Sequence, residues 1–244
     1  MFKKNDMVVK HNNLVRVEVD DMTVVQLKIM NLIISQLSDF KNIDDVTDDD
    51  FKFQISHKLI LEKLSYSKQV NDLQNEVRSL GTKTIGLYML DKNRSFDIIP
   101  LFSIISYRKA NITGEINKQL IYHLFGLKDK GNFTKFYLSN ILKFRSKYSI
   151  LLYEFLKMNE FKQGKIIVSV EDLRKQLQVD KTSKAYTEFK YLNYILIKAK
   201  KDIEELTDIK EFTYELIKEK RVVKSLNIFV NYSLKAEKKK LLTA

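Results

Sequence analysis

The sequence predicts an α+β chain made of two tandem domains related by an internal pseudo-repeat. Three observations predict it: apolar residues at helical spacing alternate with short runs at strand spacing, the same series of elements occurs twice, and 244 residues suit one or two domains.

In the first pass, Thr23-Val24-Val25-Gln26 resembles a capping box that opens a helix through Val25, Ile29, Leu32, Ile33 and Leu37. An acidic loop over 39–50 follows. Residues 51–55 alternate as a strand, and Ser56 is placed to cap a short helix over 57–64. A third helix over 67–80 carries Val70, Leu73, Val77 and Leu80 at steps of three and four, with Gly81 suited to its C-terminal stop. Residues 84–90 and 96–107 then read as two strands around the turn Asp91-Lys92-Asn93-Arg94.

In the second pass, residues 148–156 form an apolar-periodic helix and 165–168 a β-rich run. Ser169 sits where Ser56 sat, with Asp172 three residues on, and its short helix ends near Leu177. A long helix over 183–206 follows, and then strands over 211–217 and 222–230 flank Lys218-Glu219-Lys220-Arg221. Ser56 and Ser169 are 113 residues apart, Tyr66 and Tyr186 120, Arg94 and Arg221 127. Helix, strand, helix, helix, strand, wing, strand is the order of a winged helix, a helix-turn-helix backed by a β-hairpin. The expected domains are 8–130 and 131–232, joined through a connecting helix over 134–144, with a charged, disordered tail over 233–244.

Composition narrows the function. With 44% apolar and 30% charged residues, one proline and six glycines, the chain can fold around a real core and bury about 70% of its unfolded surface. Zero cysteine excludes disulfides, thiolate zinc sites and cysteine nucleophiles, and points to a cytoplasmic location. No apolar segment follows the charges at the start, and none is long enough for a membrane span, so no membrane association by signal or anchor is expected. The net charge of +12 is uneven: residues 1–130 carry 19 basic and 17 acidic side chains, residues 131–244 carry 24 and 14. A basic half favours a polyanion, nucleic acid first and an acidic membrane surface second.

The long helix of the second copy is the most informative stretch. Phe189, Leu192, Leu196, Ala199, Ile203 and Leu206 share one side, which must be core. The opposite side holds Lys184, Thr187, Lys190, Tyr194, Lys198 and Lys201, with Asn193 at its edge. A recognition helix needs this arrangement, with donors and acceptors for base edges and lysines for phosphates. Lys218, Lys220, Arg221 and Lys224 suit a wing lying on the backbone or in a minor groove. The first copy has a sparser version: Lys68, Asn71, Asn75 and Arg78 on its third helix, Lys92 and Arg94 in its turn. These fit DNA or a protein partner equally well.

No catalytic site, cofactor or metal is predicted. His11, His57 and His123 are scattered and none pairs at short spacing. The histidine-apolar-histidine motif of rolling-circle nicking enzymes is missing, so no tyrosine gains a metal-bound partner. Gly81-Thr82-Lys83-Thr84 lacks the Gly-Lys pair of a phosphate loop. Asp44, Asp45, Asp48, Asp49 and Asp50 lack the central glycine and final glutamate of a calcium loop, though a metal-dependent nuclease using them is a third reading.

Specific strings add a family resemblance. Val8-Val9-Lys10-His11-Asn12-Asn13-Leu14 is similar to the start of the iteron-binding plasmid replication initiators, the Rep family that includes the F-plasmid initiator. Leu142-Lys143-Phe144-Arg145-Ser146-Lys147-Tyr148-Ser149, with Leu152-Tyr153-Glu154-Phe155-Leu156, resembles the family's linker and the first helix of its second domain. Ala199-Lys200-Lys201-Asp202-Ile203-Glu204-Glu205-Leu206-Thr207-Asp208 resembles the close of its long helix. The resemblance implies a non-catalytic initiator. Its second domain would read double-stranded repeats in the origin, and its first would add contacts as a monomer or supply the homodimer interface. Monomers would open the AT-rich origin and recruit the host initiator and replicative helicase, while dimers repress the protein's own operator. The family usually shows a basic, often arginine-containing stretch before Ile195-Leu196, where this chain has Tyr191, Leu192, Asn193 and Tyr194; Asn193 would suit adenine, and Tyr194 a sugar or a thymine methyl. The alternative is a winged-helix transcriptional regulator with no replication role.

Overall fold

The computed structural model describes residues 7–16, 22–37, 43–64, 70–88, 96–125, 133–162 and 165–232. The chain divides into two compact units, Met1–Met158 and Asn159–Ala244.

In the first unit, β1 (Met7–His11) leads into α1 (Asn12–Arg16) and α2 (Val24–Ile34). Thr23 and Gln26 form the reciprocal capping box expected of them, the Thr23 side chain accepting from the Gln26 N–H at 3.2 Å. Residues 26–34 of α2 are all buried, so this is a core helix, and its polar side chains find partners inside. Asn31 donates to Glu154, whose other carboxylate oxygen meets the Lys10 ammonium at 2.8 Å, both side chains buried. Lys28 donates to the Leu142 carbonyl at 2.8 Å; burial and then the charge of Arg145 push its ammonium down to about 8.

Then come β2 (Lys52–Ser56), α3 (His57–Leu64) and α4 (Val70–Gly81). Ser56 caps α3 as expected, accepting from the Leu59 N–H at 3.2 Å. β3 (Thr84–Tyr88) pairs with β4 (Phe96–Pro100), and the single strand expected over 96–107 is in fact broken at Leu101. β5 (Phe102–Arg108) belongs to a different sheet, where it pairs with β6 (Asn111–Ile116), a strand the sequence pattern did not suggest. The order in that sheet is β2-β6-β5. Gly114 lets its strands close: a Cβ there would lie 2.4 Å from the Ile104 carbonyl oxygen and 2.8 Å from the Phe53 ring.

After α5 (Ile121–Leu124), the expected connecting helix begins as β7 (Phe133–Tyr137) and only then becomes α6 (Leu138–Lys143). The reason is periodicity of two: Thr134 and Phe136 point inward, Lys135 outward, and the strand pairs antiparallel with β1 from Met7↔Tyr137 to His11↔Phe133. α7 (Lys147–Met158) completes the unit. Residues 133–158, assigned by the repeat to the second domain, therefore lie in the first compact unit, held there by the β1–β7 ladder and the Lys10–Glu154 pair.

The second unit is β8 (Lys165–Ser169), α8 (Val170–Gln176), α9 (Lys184–Thr187), α10 (Phe189–Leu206), β9 (Ile209–Glu219) and β10 (Val222–Tyr232). Its sheet order is β8-β10-β9. Ser169 caps α8 as expected, accepting from the Asp172 N–H at 2.9 Å. The helix expected over 183–206 is interrupted at Glu188, whose backbone is extended. The Ala185 carbonyl, which a continuous helix would offer to the Phe189 N–H, faces the Arg174 side chain at 3.4 Å instead.

Candidate nucleic-acid interface

Within the second unit, Leu192, Leu196, Ala199 and Ile203 are buried and fix how α10 is rotated. Lys200 joins the same packing from the side: it reaches Glu204 and the Phe212 carbonyl, and Glu204 accepts from the Phe212 N–H at 2.9 Å. That leaves Lys190, Tyr191, Tyr194, Ile197, Lys198 and Lys201 exposed. Lys184 and Thr187 are exposed too, on α9, so the break at Glu188 separates them from the helix they were expected to share. The lysines lie against aromatic rings. Lys198 Nζ is 4.4 Å from the Tyr194 ring centre, and Lys184 and Lys190 stand 5.7 and 6.0 Å from that of Tyr191. Asn193 is half-buried, and its Oδ1 accepts from the Tyr214 hydroxyl at 2.8 Å. Burial raises the Tyr214 pKa and keeps that phenol a donor.

The hairpin β9–β10 ends in the two-residue turn Lys220-Arg221, both residues with positive φ, 46° and 74°. Such a turn matches the twist of the strands it joins and normally uses Asn-Gly or Asp-Gly. Here two cations occupy the left-handed positions. Lys218, Lys220, Arg221 and Lys224 are all exposed, Lys224 at a register shift in β10.

The first unit has the same turn in a place the sequence reading missed. Its sheet order β2-β6-β5 matches β8-β10-β9, so the hairpin equivalent to β9–β10 is β5–β6, and β3–β4 is an insertion. The β5–β6 turn is Lys109-Ala110, with φ 47° and 56°, and Arg108 and Lys109 are exposed on it. The expected wing residues Lys92 and Arg94 fall between β3 and β4 in the sequence and lie outside the described residues. Lys68 also lies outside them, and the Asn71 side chain is not described although its backbone is in α4. Asn75 and Arg78 are exposed on α4 opposite buried Leu73, Val77 and Leu80, and Arg78 lines a groove between α4 and β5 with Gln74, Thr82 and Tyr107.

Three of the five aspartates of the acidic loop and the three histidines are engaged locally. Asp48 pairs with Lys118 at 2.8 Å and Asp49 with Lys52 at 2.7 Å, and Asp50 accepts from the Thr47 N–H at 2.7 Å. The Lys118 hydrogen bond holds the Asp48 carboxyl below its usual range. Among the described residues no three His, Asp or Glu side chains gather as a metal site. His11 and His123, distant in sequence, meet edge to face with ring centres 5.3 Å apart, and His57 Nδ1 lies 2.8 Å from the Tyr107 hydroxyl. Among the described residues no helix is long and apolar enough to cross a membrane.

Two family models match this chain: the first winged-helix domain of initiator replication proteins over residues 7–157, and the second over residues 169–230. The chain belongs to the Rep3 family of replication initiators. The family's two domains are the two winged-helix units described above, and the fold is α+β. Among solved structures, the chain is similar to the Pi initiator protein, crystallised in complex with iteron DNA. The TM-score is 0.74 at 17% sequence identity, over 96% of this chain and 100% of that one. This likeness shows the fold. A sequence search among curated proteins finds no match.

Proposed function

We propose that this Rep3 initiator acts in the cytoplasm on plasmid DNA, binding repeated origin sequences without catalysing a reaction on them. The observation that carries the proposal is the second unit's pairing of an exposed lysine-and-tyrosine helix face with a two-residue turn made of cations. α10 enters the major groove, where Lys190, Tyr194 and Lys198 face base edges and flanking phosphates and Lys201 meets the backbone. Lys184 and Thr187 act from α9, ahead of the groove-reading helix. Asn193, with one Oδ1 lone pair taken by Tyr214, keeps its amide NH2 for donating to a base edge. The wing, through Lys218, Lys220, Arg221 and Lys224, lies along the backbone beside it.

The first unit contributes Asn75, Arg78, Arg108 and Lys109, a smaller basic set, as auxiliary DNA contacts in the monomer, and it supplies the interface of a homodimer. Monomers on the origin open it and recruit the host initiator and helicase; dimers repress the protein's own gene. The match to an initiator solved on iteron DNA supports the reading.

A gel-shift titration against the DNA flanking the gene, with unrelated competitor, tests it. The expected result is a ladder of discrete complexes, one per repeat, together with replication of a repeat-bearing plasmid only when this protein is supplied. A single complex with no dependence of replication on the protein is the result expected of a transcriptional repressor.

A further inference from the structure

The face that α10 turns outward lacks the planar guanidinium fork that reads guanine bidentately, and two of its lysines, Lys190 and Lys198, stand over tyrosine rings. No arginine lies on α10. Arg174 of the same unit is turned to the Ala185 carbonyl and stands over the Tyr186 ring, and Arg221 is at the wing tip. Asn193, the carboxamide at the edge of this face, has its oxygen engaged by Tyr214. Beside its lysines the face offers apolar surface: Tyr191, Tyr194 and Ile197 are 37%, 59% and 52% exposed. An isoleucine half in water on a helix whose other aliphatic side chains are buried or half-buried lacks a packing explanation. Lys198 and Lys190 cover parts of the two rings with their charges and leave Ile197 bare of any such partner.

Residues 191, 194 and 197 step by three, so their Cα atoms rise about 4.5 Å per step and about 9 Å in all. Along a major groove that distance faces roughly three to four base pairs. The one apolar group a base pair presents there is the C5-methyl of thymine.

We propose that α10 reads a short run of A·T pairs through thymine methyl groups, with Ile197 as the principal determinant and Tyr194 and Tyr191 following it toward the helix N-terminus. This inference rests on the proposed function, since it presumes that α10 occupies a major groove. Burial of one methyl is worth about a fourfold change in affinity, so three contacts together give at most about 60-fold.

The test uses the full chain and the repeat duplex defined by footprinting, prepared once with thymine and once with deoxyuridine in its place, which removes only the methyl. A third duplex carries 7-deazaguanine, which removes the guanine N7 acceptor. The expected result is weakening by about 10- to 50-fold on the uracil duplex and little change on the deazaguanine duplex. Ile197→Ala should narrow the thymine-to-uracil ratio about fourfold, whereas Lys220→Asn with Arg221→Gly should leave the ratio intact. Equal affinity for thymine and uracil duplexes, or a large loss on the deazaguanine duplex, overturns the inference while leaving the initiator reading in place. Equal affinity for the repeat and for unrelated DNA defeats the initiator reading and this inference with it. Because the decisive change is made in the DNA, the fold of the protein is not disturbed.

Discussion

Replacing the wing turn Lys220-Arg221 with Asn-Gly separates folding from binding in a single pair of substitutions. Both positions have positive φ, a region that costs a non-glycine residue about 1–2 kcal/mol. Asn-Gly is the preferred occupant of such a turn, so Lys220→Asn with Arg221→Gly should raise unfolding free energy by about 1–2 kcal/mol. The same change removes two cations. If each neutralises one phosphate, affinity scales with salt to a power of about −0.9 per contact, or about eightfold per contact at 0.1 M. The double variant should therefore bind the repeat about 60-fold more weakly at 0.1 M salt, near 2.4 kcal/mol, with a log–log salt slope shallower by about 1.8. Denaturant titration gives the first quantity, and fluorescence anisotropy across a salt series gives the second. Unchanged affinity and slope would refute the placement of the wing on the backbone. A loss of stability would refute the argument that function keeps cations in an unfavourable turn.

Three further outcomes follow from other sites. Arg108→Gln with Lys109→Gln, at the equivalent turn of the first unit, should flatten the salt slope by about 1.8 if that turn also meets phosphates; an unchanged slope assigns it elsewhere. Lys10→Met leaves Glu154 buried without its cation and should cost about 3–5 kcal/mol, most of which returns when Glu154→Leu is added; a single-variant loss below about 1 kcal/mol would contradict the pairing. Lys28 has a folded pKa of about 8 against 10.5 when unfolded, so the unfolded state binds more protons between those values and stability gained through this group grows as pH rises from 8 to 10.5. Compared with Lys28→Met, the wild type should gain across that window, and a flat difference measured by denaturant titration contradicts the assignment.

Caps, core helices and the exposed face of α10 were legible because each depends on residues close in sequence. Thr23 and Gln26, Ser56, and Ser169 with Asp172 satisfy N–H groups within one turn, and the steps from Leu192 to Ile203 define a buried stripe whatever packs on it. Pairing was harder. Residues 96–108 form one apolar-rich run in which Pro100 is the local sign of a break, and the ladders show that one sheet ends there and another begins at Phe102. Lys109-Ala110 carries none of the usual turn residues, so the hairpin gave no local signal. One distant signal existed: pairing Arg94 with Arg221 makes the offset between the copies jump from 113 at Ser56 to 127, whereas pairing Lys109 with Lys220 keeps it at 111. The break at Glu188 was hidden for a similar reason, since Ala185 continues the apolar spacing into Phe189 and the competing partner, Arg174, lies on another helix.

The ion pair that joins β1 to α7 also sets an order of events during synthesis. Lys10 and Glu154 are 144 residues apart, and β1 has no ladder partner among the described residues other than β7. At about 5–20 residues per second, roughly 7–30 s separate the synthesis of the lysine from that of its carboxylate. Until β7 is made, late in that interval, the ribosome carries a first unit whose opening strand lacks its ladder partner. The last turns of α7 are thus the point at which the nascent chain can close its first domain, and only after them does the ribosome begin the second unit.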